Sequence, residues 1–168
     1  MPGVVGNVGE AALEAGRSAY DWHSVPHFGS RASVGRLIVR PSAYGFAVDG
    51  EGRLAVVRDA EGMFLPGGGI EPGETPEAAV AREMLEECGL VIQVGACVAN
   101  AVQLVQAEDG TTIEKRSFFF ETRIDGSRAA AMLPGHRTFW IAPPSAAKLL
   151  SHESQAWAVR DWTFRHSS

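Results

Sequence analysis

Residues 68–90 constrain the fold of this chain more than any other segment. They read GGIEPGETPEAAVAREMLEECGL, a glutamate-rich run bounded by signals for the start and the end of a helix. Thr75 can cap a helix, Pro76 is favoured in a first turn, and Gly89 can adopt the left-handed conformation that ends one. The pattern therefore predicts a helix from about Pro76 to Cys88, preceded by a glycine-rich loop.

The predicted helix gathers its acidic side chains on one face. At about 100° per residue, Glu83, Glu86 and Glu87 fall within an arc of roughly 100°. Carboxylates this close raise one another's pKa unless positive charge lies among them, and oxygen-only sites favour Mg²⁺, Mn²⁺ or Ca²⁺ over Zn²⁺. We therefore expect Mg²⁺ here, with Mn²⁺ as a possible substitute. The opposite face is expected to pack on a sheet and consists of Ala81, Met84, Leu85 and Cys88.

Two neighbouring features strengthen this interpretation. Arg82 adjoins Glu83 and lies one turn before Glu86, so its guanidinium can orient a carboxylate through a bidentate pair. The glycines of Gly67–Gly69 allow backbone amides and carbonyls to approach an ion or a phosphate closely. Alone, an acidic helix is usually a solvated face and a glycine loop is usually a turn, but the two together indicate a site.

The spacing of these residues resembles a complete Nudix box. Gly68, five residues, Glu74, seven residues and then REMLEECGL from Arg82 to Leu90 match every position of that pattern. The surrounding chain from about Val34 to Trp162 also looks like this family. The resemblance implies an α/β (α+β) fold, namely an α/β/α sandwich with a mixed β-sheet, a catalytic helix at about 76–88 and a C-terminal helix.

The resemblance also implies a Mg²⁺-dependent hydrolase that cleaves a phosphoanhydride in a nucleoside diphosphate linked to another group. Glu83, Glu86 and Glu87 resemble the family's metal ligands, with the Gly68 carbonyl as a further oxygen. Glu74 and Arg82 resemble its orienting pair. The resemblance thus implies a catalytic set and a substrate-binding set: Glu74, Arg82, Glu86 and Glu87 in the first, and Gly67, Gly68 and Gly69 in the second.

The source of the catalytic base is a separate question. Many family members supply an extra glutamate from a loop ahead of the last strand, but residues 126–152 of this chain contain no acid. We therefore expect Glu86 or Glu87 to act as base. The alternatives outside the box are Glu114, Glu121 and Glu153.

Side chains that would contact the rest of a substrate are harder to identify from sequence. His136 lies in the acid-free segment and could contact substrate, although loop histidines such as His136 and His152 are more often solvated. Six aromatic residues could form a wall for a base, but each is more often core than ligand-facing. They are Tyr44, Phe46, Phe64, Phe118, Phe120 and Trp140.

The expected substrate is a (deoxy)nucleoside triphosphate, which would be cut to a monophosphate and pyrophosphate. ADP-ribose, another nucleotide sugar or a dinucleoside polyphosphate is the alternative within the same enzyme class. From a different class, the domain could be a non-catalytic nucleotide-binding sensor. The complete set of Arg82, Glu83, Glu86 and Glu87 argues against a sensor, which has little need of all four.

Composition limits the remaining possibilities. A chain of 168 residues with 45% hydrophobic and 21% charged residues suits one globular domain. A net charge of −5 argues against broad nucleic-acid binding, and the sequence has neither a transmembrane-length apolar run nor a signal-peptide pattern. We expect a cytoplasmic protein whose two cysteines, Cys88 and Cys97, are reduced.

The chain divides into an N-terminal arm at 1–33 and a Nudix-like domain at 34–168. Aromatic residues of the arm are expected to pack on the domain or on a second copy, so a homodimer is possible. Strand-forming runs that flank glycine-containing turns predict two β-hairpins, and later segments predict a strand and a helix. The hairpins join 37–48 to 54–58 and 91–106 to 111–124, the strand spans 137–141, and the helix runs from Pro144 to about Trp162.

Overall fold

Eight strands and three helices make up residues 20–127 and 133–167, which are the part of the chain that the computed structural model describes. No helix in these two ranges is long and apolar enough to cross a membrane. In chain order the elements are β1 His27–Phe28, β2 Leu37–Phe46, β3 Leu54–Arg58, β4 Met63–Phe64, β5 Gly67–Gly69, α1 Pro76–Cys88, β6 Leu90–Gln106, β7 Thr112–Ser127, β8 Arg137–Ile141, α2 Pro143–Leu149 and α3 Glu153–His166.

The strands form two sheets. The larger is mixed and has the order β1-β6-β7-β2-β5, and the smaller is antiparallel with the order β4-β3-β8. The long β6–β7 hairpin runs antiparallel, whereas β2 lies parallel to β7 with Ala43 opposite Phe118. On its other edge β2 pairs antiparallel with the glycine strand β5, where Ala43 lies opposite Gly68. The predicted mixed sheet and the second hairpin are confirmed.

Alternating residues of β2 and β7 divide the apolar core into two layers, because successive side chains of a strand point to opposite faces. The layer under α1 contains Ala43, Ala79, Val80, Met84, Phe118 and Phe120. The layer under α2 and α3 contains Tyr44, Phe46, Phe119, Ala146, Ala158 and Val159. Helices therefore cover both faces of the mixed sheet, as the sandwich requires. Four of the six candidate aromatic residues are core residues: Tyr44, Phe46, Phe118 and Phe120.

Helix α1 begins and ends where its local signals predict. The Thr75 side chain accepts a hydrogen bond from the Ala78 amide at 3.1 Å, and Pro76 occupies the first turn. Gly89 ends the helix in the left-handed conformation at φ 65° and donates its amide to carbonyls of the last turn. These contacts involve only neighbouring residues, so the sequence contains the information that sets the helix bounds.

The buried face of α1 differs from the predicted one. Of Ala81, Met84, Leu85 and Cys88, only Met84 is fully buried. The helix packs at Gly45 of β2, where an added Cβ would lie 2.4 Å from Met84 Cε and 3.0 Å from Val80 Cγ2. This close approach centres the buried stripe on Val80, Met84 and Glu87, so the stripe is rotated about the helix axis from the predicted one. As a result, α1 turns one of its carboxylates inward.

The first predicted hairpin is wrong in its pairing. The Asp49–Gly52 turn is present, and Asp49 Oδ1 accepts hydrogen bonds from the amides of Glu51 and Arg53 at 2.9 and 2.8 Å. Next to the turn one antiparallel bridge joins Val48 to Leu54, flanked by hydrogen bonds from the Asp49 amide to the Arg53 carbonyl and from the Ala55 amide to the Ala47 carbonyl, both at 2.9 Å. Farther along, the two segments do not pair in the described residues. Both edges of β2 are already occupied by β7 and β5, so β3 pairs with β4 and β8 in the second sheet.

The predicted single helix from Pro144 to about Trp162 is also wrong, because the chain breaks it into α2 and α3. Leu150 and His152 are extended, with ψ of 131° and 126°. Between them Ser151 donates its amide to the Met63 carbonyl at 2.9 Å and accepts the Met63 amide on its hydroxyl at 3.0 Å. This attachment to β4 fixes the interruption and brings His152 against Phe64, with ring centroids 4.9 Å apart.

The described part of the N-terminal arm packs on the domain. Residues 1–19 lie outside the described residues, but β1 extends the mixed sheet, with His27 opposite Val102 of β6. The Trp22 ring contacts Phe118 edge-on with centroids 5.2 Å apart. The division of the chain at residues 33 and 34 stays a prediction.

The contact at Gly45 gives a test of the packing. Gly45→Ala should lower the free energy of unfolding by about 1–2 kcal/mol, because the new methyl group overpacks the space that Met84 and Val80 fill. Urea unfolding followed by circular dichroism measures the change. Gly50→Ala is the matched control, since nothing lies within 4 Å of an added Cβ there. Equal stability of the two variants would contradict this account of the α1 contact.

Candidate active site

Arg82 links the acidic side chains of the site. Its Nε and Nη2 donate to the two carboxylate oxygens of Glu74 at 2.8 and 2.9 Å, which is a bidentate pair. Its Nη1 donates to Glu83 at 3.0 Å and to Glu86 at 3.3 Å. Its Nη2 also donates to the Gly69 carbonyl at 3.2 Å. One guanidinium therefore connects the loop, β5 and the exposed edge of α1, and its hydrogen bond lowers the pKa of Glu74.

Glu87 places a carboxylate almost out of contact with water. The residue is 7% exposed, and its Oε1 accepts a hydrogen bond from the Gly67 amide at 2.8 Å. Burial raises the pKa of Glu87 to about 8, and the charges of Glu83, Asp59 and Glu86 act in the same direction. The Gly67 hydrogen bond opposes this shift without cancelling it. The ionised form of Glu87 therefore lacks compensation that a cation would supply.

The glycine strand β5 is shaped to receive these carboxylates. An added Cβ at Gly68 would lie 2.8 Å from Glu83 Oε1, so a larger residue there would displace the Glu83 carboxylate from its present position. Gly67 has φ of 149°, and a Cβ there would lie 2.1 Å from the Ala43 carbonyl oxygen. The Gly67 amide and the Gly69 carbonyl, both expected to face substrate, already contact Glu87 and Arg82.

The donor set fits a hard divalent cation. Glu83, Glu86 and Glu87 offer carboxylate oxygens, the kind of ligand that Mg²⁺ prefers. Burial raises the pKa of Glu83 as well, although Arg82 opposes the shift. As the side chains stand, no three acidic, histidine or cysteine residues in the described ranges are close enough to hold an ion. Arg82 occupies oxygens of Glu83 and Glu86, so an ion would have to compete with that guanidinium.

Sequence reasoning misjudged His136. It was expected to be solvated, but its side chain is 23% exposed, and its Nε2 lies 3.6 Å from Glu87 Oε2. The preceding loop is attached to α1, because the Leu133 amide donates to the Glu86 carbonyl at 2.5 Å. The usable signal was its position immediately before strand β8, which pairs with β3 in the core of the smaller sheet.

Asp59 is a second residue that the sequence did not single out. It lies in the turn between β3 and β4, where its Oδ1 accepts hydrogen bonds from the amides of Glu61 and Gly62 at 2.7 and 3.2 Å. Its charge contributes to the raised pKa of Glu87. The available signal was the turn sequence Asp-x-x-Gly at residues 59–62, which residues 63–66 separate from the glycine loop.

Two of the three alternative glutamates outside the box pair with other side chains. Glu121 follows Phe120 on β7 and therefore faces α3, where its Oε1 lies 2.9 Å from His166 Nε2. Glu114 accepts a hydrogen bond from Arg116 Nε at 2.7 Å. Glu153 is exposed in the first turn of α3. The expectation that Glu86 or Glu87 acts as base stays a prediction.

A second group of side chains adjoins the acidic site on the sheet face under α3. We call it the Lys115 patch, and it comprises Arg40, Phe64, Lys115 and His152. Arg40 lies directly opposite Lys115 across the β2–β7 ladder, on strands that are parallel. Burial, and then the charge of Arg40, lowers the pKa of Lys115, while Asp59 and Glu61 act the other way.

His152 completes the patch. Burial, and then the charge of Lys115, lowers its pKa to about 4, so the ring is neutral at physiological pH. The charge of Asp59 acts on Glu87, Lys115 and His152 alike, so this turn lies near both the acidic site and the patch. The Lys115 patch therefore combines the positively charged side chains of Arg40 and Lys115 with the rings of Phe64 and His152, near the acidic site.

Known proteins match the chain in sequence and in fold. A "MutT-like protein" of Streptomyces ambofaciens is 28% identical over 121 residues, which cover 71% of this chain and 72% of that protein. The "8-oxo-dGTP diphosphatase" of Haemophilus influenzae is 34% identical over 100 residues, covering 54% of this chain and 69% of the relative. The E. coli dihydroneopterin triphosphate pyrophosphohydrolase has a similar fold, with a TM-score of 0.61 and 17% identity over 76% of this chain and 99% of that chain.

The match to a family extends over most of the chain. The sequence model of the NUDIX domain covers residues 39–163, which include the glycine strand, the acidic helix and both helices of the opposite layer. This range agrees closely with the resemblance inferred from Val34 to Trp162. The protein therefore belongs to the Nudix family and is a hydrolase that acts on acid anhydrides.

Proposed function

We propose that the protein is a Mg²⁺-dependent pyrophosphohydrolase of (deoxy)nucleoside triphosphates that releases a monophosphate and pyrophosphate. The observation that carries the proposal is the buried Glu87 carboxylate beside Glu83 and Glu86, because Arg82 pairs with Glu83 and Glu86 but donates no hydrogen bond to Glu87. The Haemophilus influenzae relative, a diphosphatase of an oxidised nucleoside triphosphate by its name, supports this substrate class. Mn²⁺ is the expected substitute.

The acidic residues have two roles in the proposed reaction, which are to bind the cation and to accept a proton. Glu83, Glu86 and Glu87 would hold the cation, with the Gly68 carbonyl as a further oxygen, and Glu74 keeps Arg82 in place through the bidentate pair. A bound Mg²⁺ would lower the pKa of a water and neutralise charge on the phosphate oxygens. Glu86, whose side chain is 37% exposed, is open to solvent and accepts the proton of the attacking water.

The water oxygen then forms a bond to phosphorus while the bond to the bridging oxygen breaks, and the pyrophosphate leaves with the bridging oxygen. Phosphoryl transfer of this kind depends mainly on positioning and charge neutralisation rather than on covalent help from the protein. Arg82 supplies that positioning, because it fixes Glu74, Glu83 and Glu86 at once.

The Lys115 patch suits the nucleoside portion of the substrate. Phe64 and His152 offer ring surfaces, and the neutral His152 ring can also exchange hydrogen bonds with a base. Arg40 and Lys115 add positive charge on the same face. ADP-ribose, another nucleotide sugar or a dinucleoside polyphosphate is the runner-up. The second polar group of such a substrate could bind to Arg40 and Lys115. A non-catalytic nucleotide sensor would bind nucleotides without releasing phosphate.

We place the protein in the cytoplasm, where nucleotides and Mg²⁺ are abundant. No disulfide joins Cys88 and Cys97, and burial raises the pKa of Cys88 to about 11, which leaves it a poor nucleophile.

A panel assay tests the proposed function. The protein is incubated with nucleoside triphosphates, oxidised triphosphates, ADP-ribose and dinucleoside polyphosphates, with Mg²⁺ or Mn²⁺, and each phosphate product is identified. We expect a monophosphate and pyrophosphate from a triphosphate. Glu86→Gln and Glu87→Gln should each lower kcat by about 100-fold or more, because each removes a cation ligand or the base.

Glu121→Gln is the matched control for these two variants and should retain wild-type turnover, since Glu121 contacts His166 on the other face of the sheet. Wild-type rates in both helix variants would disprove the assignment. Tight nucleotide binding with no phosphate release would favour the sensor, and exclusive cleavage of ADP-ribose would favour the runner-up.

The assignment of the Lys115 patch makes a separate kinetic prediction. Lys115→Met should raise KM for the preferred nucleotide about tenfold, the effect of losing one charge-assisted hydrogen bond, while kcat changes little. The exposed Lys148 of α2 provides the control, because Lys148→Met removes the same charge from a site away from the patch. Equal KM values for the two variants would remove Lys115 from the binding surface.

A further inference from the structure

His136 has a shielded imidazole ring that makes no hydrogen bond to another described residue. Its side chain is 23% exposed, and its Nδ1 is buried with no hydrogen-bond partner among the described residues. The nearest acidic oxygen to Nε2 is Glu87 Oε2 at 3.6 Å, which is too long for a hydrogen bond. Nε2 therefore faces a carboxylate oxygen without a direct hydrogen bond to it, and the separation leaves room for a partner that is added to the protein.

The position of the ring is set by its neighbours on both sides. Upstream, the Leu133 amide donates to the Glu86 carbonyl in the last turns of α1. Downstream, Arg137 begins β8 and lies opposite Arg58 of β3. His136 is therefore held between the acidic helix and the smaller sheet, rather than at the tip of a free loop. In the described part of residues 126–152, which contain no acid, it is the histidine that lies beside Glu87.

The separation from Glu87 suits two ligands of one ion. Metal bonds of about 2.1–2.2 Å place neighbouring ligand atoms about 3.0 Å apart in an octahedral site and about 3.5 Å apart in a tetrahedral one. The observed 3.6 Å between Nε2 and Oε2 is close to this range. Oε2 is also the oxygen of Glu87 that the Gly67 amide does not use, because that amide donates to Oε1.

We propose that His136 supplies a nitrogen ligand to the cation held by Glu87, in place of the carboxylate that residues 126–152 lack. The inference rests on the cation site proposed above. Its chemical consequence is a changed metal preference. Imidazole nitrogen favours Mn²⁺ and the later transition metals, whereas Mg²⁺ prefers oxygen ligands. This chain should therefore bind Mn²⁺ in preference to Mg²⁺ by a wider margin than an all-carboxylate site would.

Pulsed electron paramagnetic resonance of the full chain loaded with Mn²⁺ alone tests the bond directly. We expect the echo modulation of a directly coordinated imidazole ¹⁴N in the wild type and its loss in His136→Gln. Titrations should show Mn²⁺ affinity falling about tenfold or more in this variant, with a smaller change for Mg²⁺. His136→Glu should raise Mg²⁺ affinity above that of His136→Gln without restoring the nitrogen signal.

His166→Gln is the control, because His166 is paired with Glu121 on the opposite face and should keep the wild-type spectrum. Absence of the imidazole signal in the wild type would overturn the proposal whether or not any variant folds. An unchanged signal in His136→Gln would overturn it as well, and so would an equal loss of Mg²⁺ and Mn²⁺ affinity, which would reduce His136 to a support for Glu87.

The outcome is independent of the nucleotide panel. A coordinated imidazole in a protein that cleaves no nucleotide would refute the proposed function and leave the ligand assignment standing. Nucleotide hydrolysis without the nitrogen signal would support the proposed function and refute the ligand assignment.

Discussion

The contact between helix α1 and the glycine strand β5 is the interaction on which the rest of the site depends. Glu87 accepts the Gly67 amide, and Arg82 donates to the Gly69 carbonyl, so both ends of a three-residue strand are fixed to the helix. Gly68 between them leaves room for the Glu83 carboxylate. The strand is in turn paired with β2, which α1 crosses at Gly45. Fold and site therefore share the same contacts, and a change in one displaces the other.

Charge is distributed unevenly over this contact. Arg82 donates hydrogen bonds to Glu74, Glu83 and Glu86 but none to Glu87. Burial raises the pKa of Glu87 to about 8. Desolvation penalises an ionised carboxylate unless an opposite charge lies nearby. The site therefore has a carboxylate without a paired cation at its buried end and is held in shape by a guanidinium at its exposed end. This division explains why a single helix carries both structural and chemical roles.

The sequence was sufficient wherever the determining contacts are local. The caps at Thr75 and Gly89 fix the bounds of α1, and the β6–β7 hairpin closes through a short turn. The sequence was not sufficient where contacts between distant segments determine the structure. The partner of β3 is β8, some eighty residues away, and the buried face of α1 depends on Gly45 of another strand. The contact of His136 with Glu87 likewise required the tertiary fold, because no periodicity or spacing relates a loop histidine to a helix glutamate.

The central claim is that a cation compensates the buried Glu87 carboxylate, and proton release on Mg²⁺ binding tests it most directly. Calorimetric titration at pH 7 in buffers of different ionisation enthalpy counts the protons released. Because the pKa of Glu87 in the metal-free protein is about 8, binding should release about one proton at pH 7, and release should disappear well above pH 8. Glu87→Gln should abolish it. Mg²⁺ binding to the wild type at pH 7 without proton release would contradict the account.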